Sequence, residues 1–160
     1  RDRYVRCVHE GFQSPVCRDS CVEFFFQPDV GTGYFNFEFS CGGALLVSYV
    51  RDCRRIGDAG FADFTMLSAE DVADAKVWHS MPSRVDPEVT EDVTWVLQFE
   101  IPMTALSPYC GEVGELSGRE WRSNFYKCGD ETSHPHWGAW APVDELNFHL
   151  PRCFQPLVFG

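Results

Sequence analysis

Two stretches of this sequence concentrate the side chains that could do chemistry. From Trp121 to Phe159 the chain reads WRSNFYKCGDETSHPHWGAWAPVDELNFHLPRCFQPLVF, with Trp121, Trp137 and Trp140, Tyr126, His149 and the triplet His134-Pro135-His136. Indole rings offer flat apolar faces, whereas the planar edges of Arg122, Asn124 and His136 can each engage two polar groups with fixed geometry. The second stretch carries Glu23 in VEFFFQ, then Asn36 and Glu38 in YFNFEFSC. Glu23 stands among Phe24, Phe25 and Phe26, where an unpaired carboxylate costs several kcal/mol, so the sequence predicts either a salt bridge to Arg18, Arg51, Arg54 or Arg55, or a place at a pocket edge. Two carboxyl groups about 5 to 10 Å apart across a cleft would instead suit glycoside chemistry, with Glu23 paired to Glu38 or Glu100. His134 and His136, close in sequence to Cys128, Asp130 and Glu131, are candidate transition-metal ligands.

The elements that position these groups read as strands. Val22 to Gln27 is a short aromatic run closed by Pro28-Asp29, and Gly31-Thr32-Gly33 leads into Tyr34 to Cys41, a hairpin signature. In the second run Phe35, Phe37 and Phe39 share one face while Tyr34, Asn36, Glu38 and Ser40 share the other, so one side is expected to pack a core and the other to present polar groups. Ala44 to Val50 resumes as an apolar strand, Gly57 to Asp63 reads as loop, and Ala75 to Ser80 reads as strand. Ser68 with Asp71 has the spacing of a capping box without a long helix behind it. Pro82 to Asp92 is polar and proline-bearing. Val93 to Ile101 alternates with Trp95, Leu97, Phe99 and Ile101 inward, and Met103 to Leu106 suits one helical turn. Pro135, Pro142 and Pro151 exclude a long helix from the tail, which is expected to form loops and short strands lining a site. Strand-like runs between Gly/Pro turns indicate an all-β, antiparallel sandwich.

Composition supports that reading and removes several partners. Phe occurs 14 times and aromatics make up 15% of the 160 residues, which suits a sheet-rich core in one domain spanning residues 1–160. A formal net charge of −11 repels a phosphate backbone and anionic lipid, so neither nucleic acid nor membrane is an expected partner. No run approaches the roughly 18 apolar residues of a spanning helix. Arg1 falls where an extended segment is already under way, so a first N-terminal strand is expected to be missing. The end of the chain leaves the compartment open, extracellular or periplasmic space included. Eight cysteines would permit four bridges, but Cys21 and Cys41 lie in apolar runs where reduced thiols act as small buried hydrophobes, and mostly free thiols are expected. Without a CxxC pair, a four-cysteine zinc site is not expected.

Three segments in order, DSCVEFFFQPD (Asp19 to Asp29), YFNFEFSCGG (Tyr34 to Gly43) and the Trp121 to Phe159 tail, resemble the carbohydrate-binding family 9-like proteins, relatives of the modules found on xylanases. The resemblance implies a jelly-roll-like β-sandwich that recognises sugars without cleaving them. Typical ligands are gluco- or xylo-configured mono-, oligo- or polysaccharide ends, with a linked catalytic domain as an expected partner. For such a ligand, Trp137 and Trp140 are the flat faces expected to meet sugar C–H patches, and Glu23, Asn36, Glu38, Arg122, Asn124 and His136 the planar groups expected to bind its hydroxyls. Family modules clamp the sugar between two aromatic rings; one of these precedes the acidic strand, where this chain has Cys17. The resemblance also implies structural calcium, for which Asp29, Asp58, Asp63, Asp130 and Asp144 are the oxygen donors available. Asp130, His134 and His136 remain the transition-metal candidates. Some members of the wider sandwich superfamily bind haem through Met and His; Met66, Met81 and Met103 are present here, without a CxxCH motif.

Overall fold

The computed structural model describes residues 2–57 and 60–160, so Arg1 and Asp58 lie outside the described residues. The strands are β1 (Val5–Cys7), β2 (Cys21–Gln27), β3 (Tyr34–Ser40), β4 (Leu45–Arg55), β5 (Phe61–Met66), β6 (Lys76–His79), β7 (Val85–Val89), β8 (Leu97–Glu100), β9 (Glu120–Gly129), β10 (His136–Ala139) and β11 (Gln155–Val158). One short helix, α1 (Ser107–Cys110), follows a 3-10 turn at Met103–Ala105. Seven strands form one antiparallel sheet in the order β10-β9-β2-β3-β4-β5, with β11 on the other half of β9. Two antiparallel pairs, β6-β8 and β1-β7, complete an antiparallel β-sandwich of the expected class. No helix among the described residues is long and apolar enough to cross a membrane.

The alternation in β3 decides what each side of the large sheet does. Phe35, Phe37 and Phe39 join Phe26, Val47, Tyr49 and Trp121 in the main core, and each buried ring contributes about 1.5–3 kcal/mol through lost water contact. The β6-β8 pair covers this face: Phe99 stacks on Phe39 at 4.7 Å and on Phe24 at 5.8 Å between ring centroids. The opposite face of β3 carries Tyr34, Asn36, Glu38 and Ser40, all buried as well. That face is only partly apolar. Phe25, Tyr34, Val50, Tyr126 and Phe154 form a second core at one end, and polar side chains occupy the rest.

Three local expectations change. Phe61 to Asp63 belongs to strand β5 rather than a loop, held by pairing of Val50 with Phe64 and Tyr49 with Thr65. Within the polar Pro82 to Asp92 stretch, β7 pairs with β1. The tail begins with β9, a ten-residue strand beside β2 in the sheet interior, so Trp121 is a core residue: it stacks on Phe26 at 5.4 Å and donates Nε1–H to Asp29. Elsewhere the Ser68–Asp71 capping box forms, each residue's backbone N–H meeting the other's side-chain oxygen at 3.1 Å.

The Gly33 turn has no room for a side chain. A Cβ there would lie 2.4 Å from the Val50 carbonyl oxygen and 2.8 Å from the Tyr49 ring, while the Gly33 N–H donates to the Tyr49 hydroxyl at 2.8 Å. Gly33→Ala is expected to cost about 1–3 kcal/mol by overpacking against backbone. Gly138→Ala, whose nearest contact would be an ordinary 3.9 Å, is the matched control; denaturant midpoints of the two variants check the difference.

Candidate functional site

The polar face of the large sheet is the floor of a cavity of about 500 Å3. Antiparallel register assembles it: Glu23 of β2 lies opposite Glu38 of β3, Asn36 lies opposite Ser48 of β4, and Cys21 lies opposite Cys128 of β9. Because successive strand residues alternate faces, Glu23, Asn36, Glu38, Ser48 and Cys128 all reach the same side. One wall is Trp137 of β10 with Asp130. The other is Phe61, Phe64 and Met66 of β5 with Arg55, and Leu146 to His149 close one end. Cys17, from the 3-10 turn Val16–Arg18, lines the cavity too, where the family resemblance placed a clamping ring.

Polar groups on the floor are held in place. Asn36 Oδ1 accepts from the Ser48 backbone N–H at 3.1 Å and from the Ser48 hydroxyl, and its Nδ2 donates to Glu38 Oε1 at 2.7 Å. Asn36 therefore orients Glu38 and spends most of its own capacity doing so. Glu23 Oε1 accepts the Cys128 thiol at 3.1 Å. Burial pushes the Glu38 carboxyl up to about 7, against the lowering effect of the Asn36 bond, and burial together with Glu38 raises Glu23 as well. At neutral pH the pair can thus both accept and donate hydrogen bonds. Of the two placements expected for Glu23, the structure shows the pocket and not the salt bridge: Arg18 meets Glu131, Arg51 meets Asp63, Arg54 meets Asp52, and Arg55 lies 4.1 Å over the Phe61 ring. Burial and the neighbouring Glu38 favour the protonated form of this carboxyl, which lowers the cost of placing it there.

Aromatic groups frame the floor. Trp137 Nε1 donates to Asp130 Oδ1 at 2.7 Å, which fixes the ring while leaving 46% of the residue exposed. Phe148 stacks on Tyr126 at 4.2 Å, and His149 Nδ1 lies 2.7 Å from the Tyr34 hydroxyl.

Of the eight residues expected to bind sugar, Glu23, Asn36, Glu38 and Trp137 line this cavity and four lie elsewhere. Arg122 donates to the Phe154 carbonyl at 2.6 Å and braces the chain ahead of β11. Asn124 is sealed in the sheet, exchanging both amide bonds with Ala141. His136 faces the other side of the sheet, where its Nε2 lies 2.9 Å from Lys127 Nζ and 3.2 Å from Asp2. Trp140 packs edge-on against Phe125, also on the far face. The alternation of β10 separates them: Trp137 and His136 are adjacent and must point to opposite sides.

The expected metal ligands do not converge. His134 stacks on Tyr4 at 3.9 Å, both nitrogens of His136 are engaged, Nε2 by Lys127 and Asp2 and Nδ1 by the His134 carbonyl, and Asp130 is bonded to Trp137. Asp29, Asp63 and Asp144 are each forked by an arginine, respectively Arg119, Arg51 and Arg152, at three separate places, so they do not fit a shared calcium site. The methionines are likewise apart: Met66 at the cavity, Met81 beside the Val5 cluster and Met103 on the main core. Glu100 is bound to Lys76 on the β6-β8 pair, away from Glu23.

Sequence reasoning missed Ser48, Phe61, Phe64 and Phe148 as cavity residues. Ser48 was recoverable, because a hairpin register that places Tyr34 opposite Val50 places Asn36 opposite Ser48.

The sequence matches the family described as "Carbohydrate-binding family 9" over residues 1–159. The chain belongs to that family. A crystal structure of a Bacteroides uniformis ATCC 8492 protein, provisionally described as carbohydrate-binding, is similar to it. The two share 33% identity with a TM-score of 0.82, over 98% of this chain and 68% of that one. Comparison with curated proteins gave no match.

Proposed function

We propose that the cavity binds a gluco- or xylo-configured sugar, free or at the end of an oligo- or polysaccharide, and leaves its bonds intact. Family membership supports non-catalytic carbohydrate binding. The observation that carries the choice of site is the Trp137 ring, pinned by Asp130 and half open to solvent, beside the paired carboxyls Glu23 and Glu38. A pyranose presents a C–H face that suits an indole, and vicinal hydroxyls that suit carboxyl groups able to donate and accept. Glu23 and Glu38 stand side by side on one sheet surface, whereas a glycosidase needs its carboxyls on opposite flanks of the scissile bond; this favours binding over hydrolysis. A linked catalytic domain would then be held near its polysaccharide by this chain.

Isothermal titration calorimetry with glucose, xylose and their short β-linked oligomers tests the reading. Saturable heat is expected from at least one of these sugars. Trp137→Ala is expected to weaken that binding about tenfold through loss of the stacking face, while Trp140→Ala, outside the cavity, leaves it unchanged. A folded protein that gives no heat with any of these sugars overturns the proposal.

A further inference from the structure

We propose that Cys21, Glu23 and Cys128 form a binding site for a zinc-type divalent cation at the back of the cavity. Their two sulfur atoms and a carboxylate oxygen all lie within 4.8 Å of one another. The spacing follows from the sheet. Cys21 and Glu23 are two apart on β2 and share a face, and Cys128 of β9 is the direct cross-strand partner of Cys21. All three side chains are buried, with exposures of 0% for Cys21, 5% for Glu23 and 1% for Cys128.

The surroundings favour a cation over a purely structural cluster. Among the described residues, no arginine or lysine bonds to Glu23, and its hydrogen-bond partner is the Cys128 thiol. A buried carboxyl and two buried thiols therefore sit together with only protons to neutralise them. A divalent ion would replace those protons: each S–H bond breaks, its proton goes to solvent, and the sulfur lone pair bonds the metal, with Glu23 giving up its own proton when it carries one. Thiolate with carboxylate is a donor set that zinc and cobalt accept and that calcium, which prefers oxygen, does not. Glu23 and Cys128 also line the cavity, so a tetrahedral ion held by these three groups keeps its fourth position towards the open space.

The whole chain, reduced and stripped with chelator in the absence of oxygen, can be titrated with Co2+ and then Zn2+. One equivalent of Co2+ is expected to produce thiolate-to-cobalt charge transfer in the near ultraviolet and intense tetrahedral d–d bands, both abolished by Zn2+. Cys128→Ser is expected to weaken Co2+ binding at least about 100-fold and to reduce the charge-transfer band. Cys110→Ser, at a thiol on the opposite side of the large sheet, leaves the spectrum intact. Since a core cysteine variant can fail to fold, Glu23→Gln is the second probe, expected to weaken binding with both thiolate bonds retained. A folded, reduced protein with no charge-transfer band overturns the proposal; so does a band that survives Cys21→Ser/Cys128→Ser. Disappearance of the two thiols into a disulfide under the same reducing conditions also overturns it. The readout uses no sugar, so this result and the calorimetric test of saccharide binding stand or fall separately.

Discussion

Asp19→Ala is expected to destabilise the fold by about 3–5 kcal/mol, the usual consequence of removing one partner from a buried ionic network. Asp19 is fully buried. Its Oδ2 accepts the backbone N–H groups of Val8 at 2.8 Å and His9 at 2.7 Å, and its Oδ1 accepts Arg6 Nη1 at 3.0 Å. Alanine would leave two backbone donors without their acceptor, each at a cost of about 1–3 kcal/mol, and would take from Arg6 its buried carboxylate partner, leaving it the Arg18 carbonyl at 3.2 Å and Glu131 at 3.6 Å. The effect reaches the cavity, because Asp19 anchors the turn that carries Cys17 to the cavity wall and precedes Cys21. That turn is also tied to β9, with Asp130 N–H donating to the Cys17 carbonyl at 3.1 Å. Equilibrium denaturation measures the loss. Asp19→Asn, which keeps one carbonyl acceptor for the two backbone donors, is expected to recover part of it.

Acid is expected to remove a further increment through His149. Burial, assisted by Arg55, pushes this imidazole down to about 3, so the ring is neutral over most of the acid range, with Nδ1 2.7 Å from the Tyr34 hydroxyl. In the unfolded chain the ring titrates near its ordinary value of about 6.5. Between these values the unfolded state binds a proton that the folded state refuses, so stability is complete above about pH 6.5 and falls as pH drops towards 3. Full separation of the two values corresponds to a ceiling of roughly 5 kcal/mol; the ring keeps some contact with solvent, so about 2–3 kcal/mol is expected. His149→Phe should flatten the stability profile over this window relative to the unmodified protein. An unchanged slope would mean that Tyr34, Arg55 and the rings of Phe25 and Phe61 around it do not exclude the proton.

How much of this was legible beforehand depended on whether a strand had one buried face or two. β3 and β8 alternate cleanly, since one set of their side chains is aromatic or aliphatic and the other polar; β3 was readable throughout, whereas of the strand expected over Val93 to Ile101 only Leu97–Glu100 forms. β9 was not: Trp121, Ser123, Asn124, Tyr126 and Cys128 are all buried, on both faces of a strand in the sheet interior, and no period of two survives. Its indole and phenol suggested a ligand surface because aromatic rings with polar tips suit either a core or a site. β5 was hidden for a different reason. Its outward pattern is that of an edge strand, and Phe61 and Phe64 acquire their role only from the cavity wall they complete.

Residue order alone settled the family, the all-β class, the hairpin around Gly31 to Gly33, and the rule that Glu23, Asn36 and Glu38 must share faces within their own strands. These follow from side-chain alternation, which is local. Tertiary structure alone decided that the faces carrying Glu23 and Glu38 coincide, that Trp137 joins them while His136 and Trp140 do not, and that Cys21 and Cys128 meet across 107 residues of chain. Strand order and register made those choices, and they are set by how the entire core packs rather than by any segment of it.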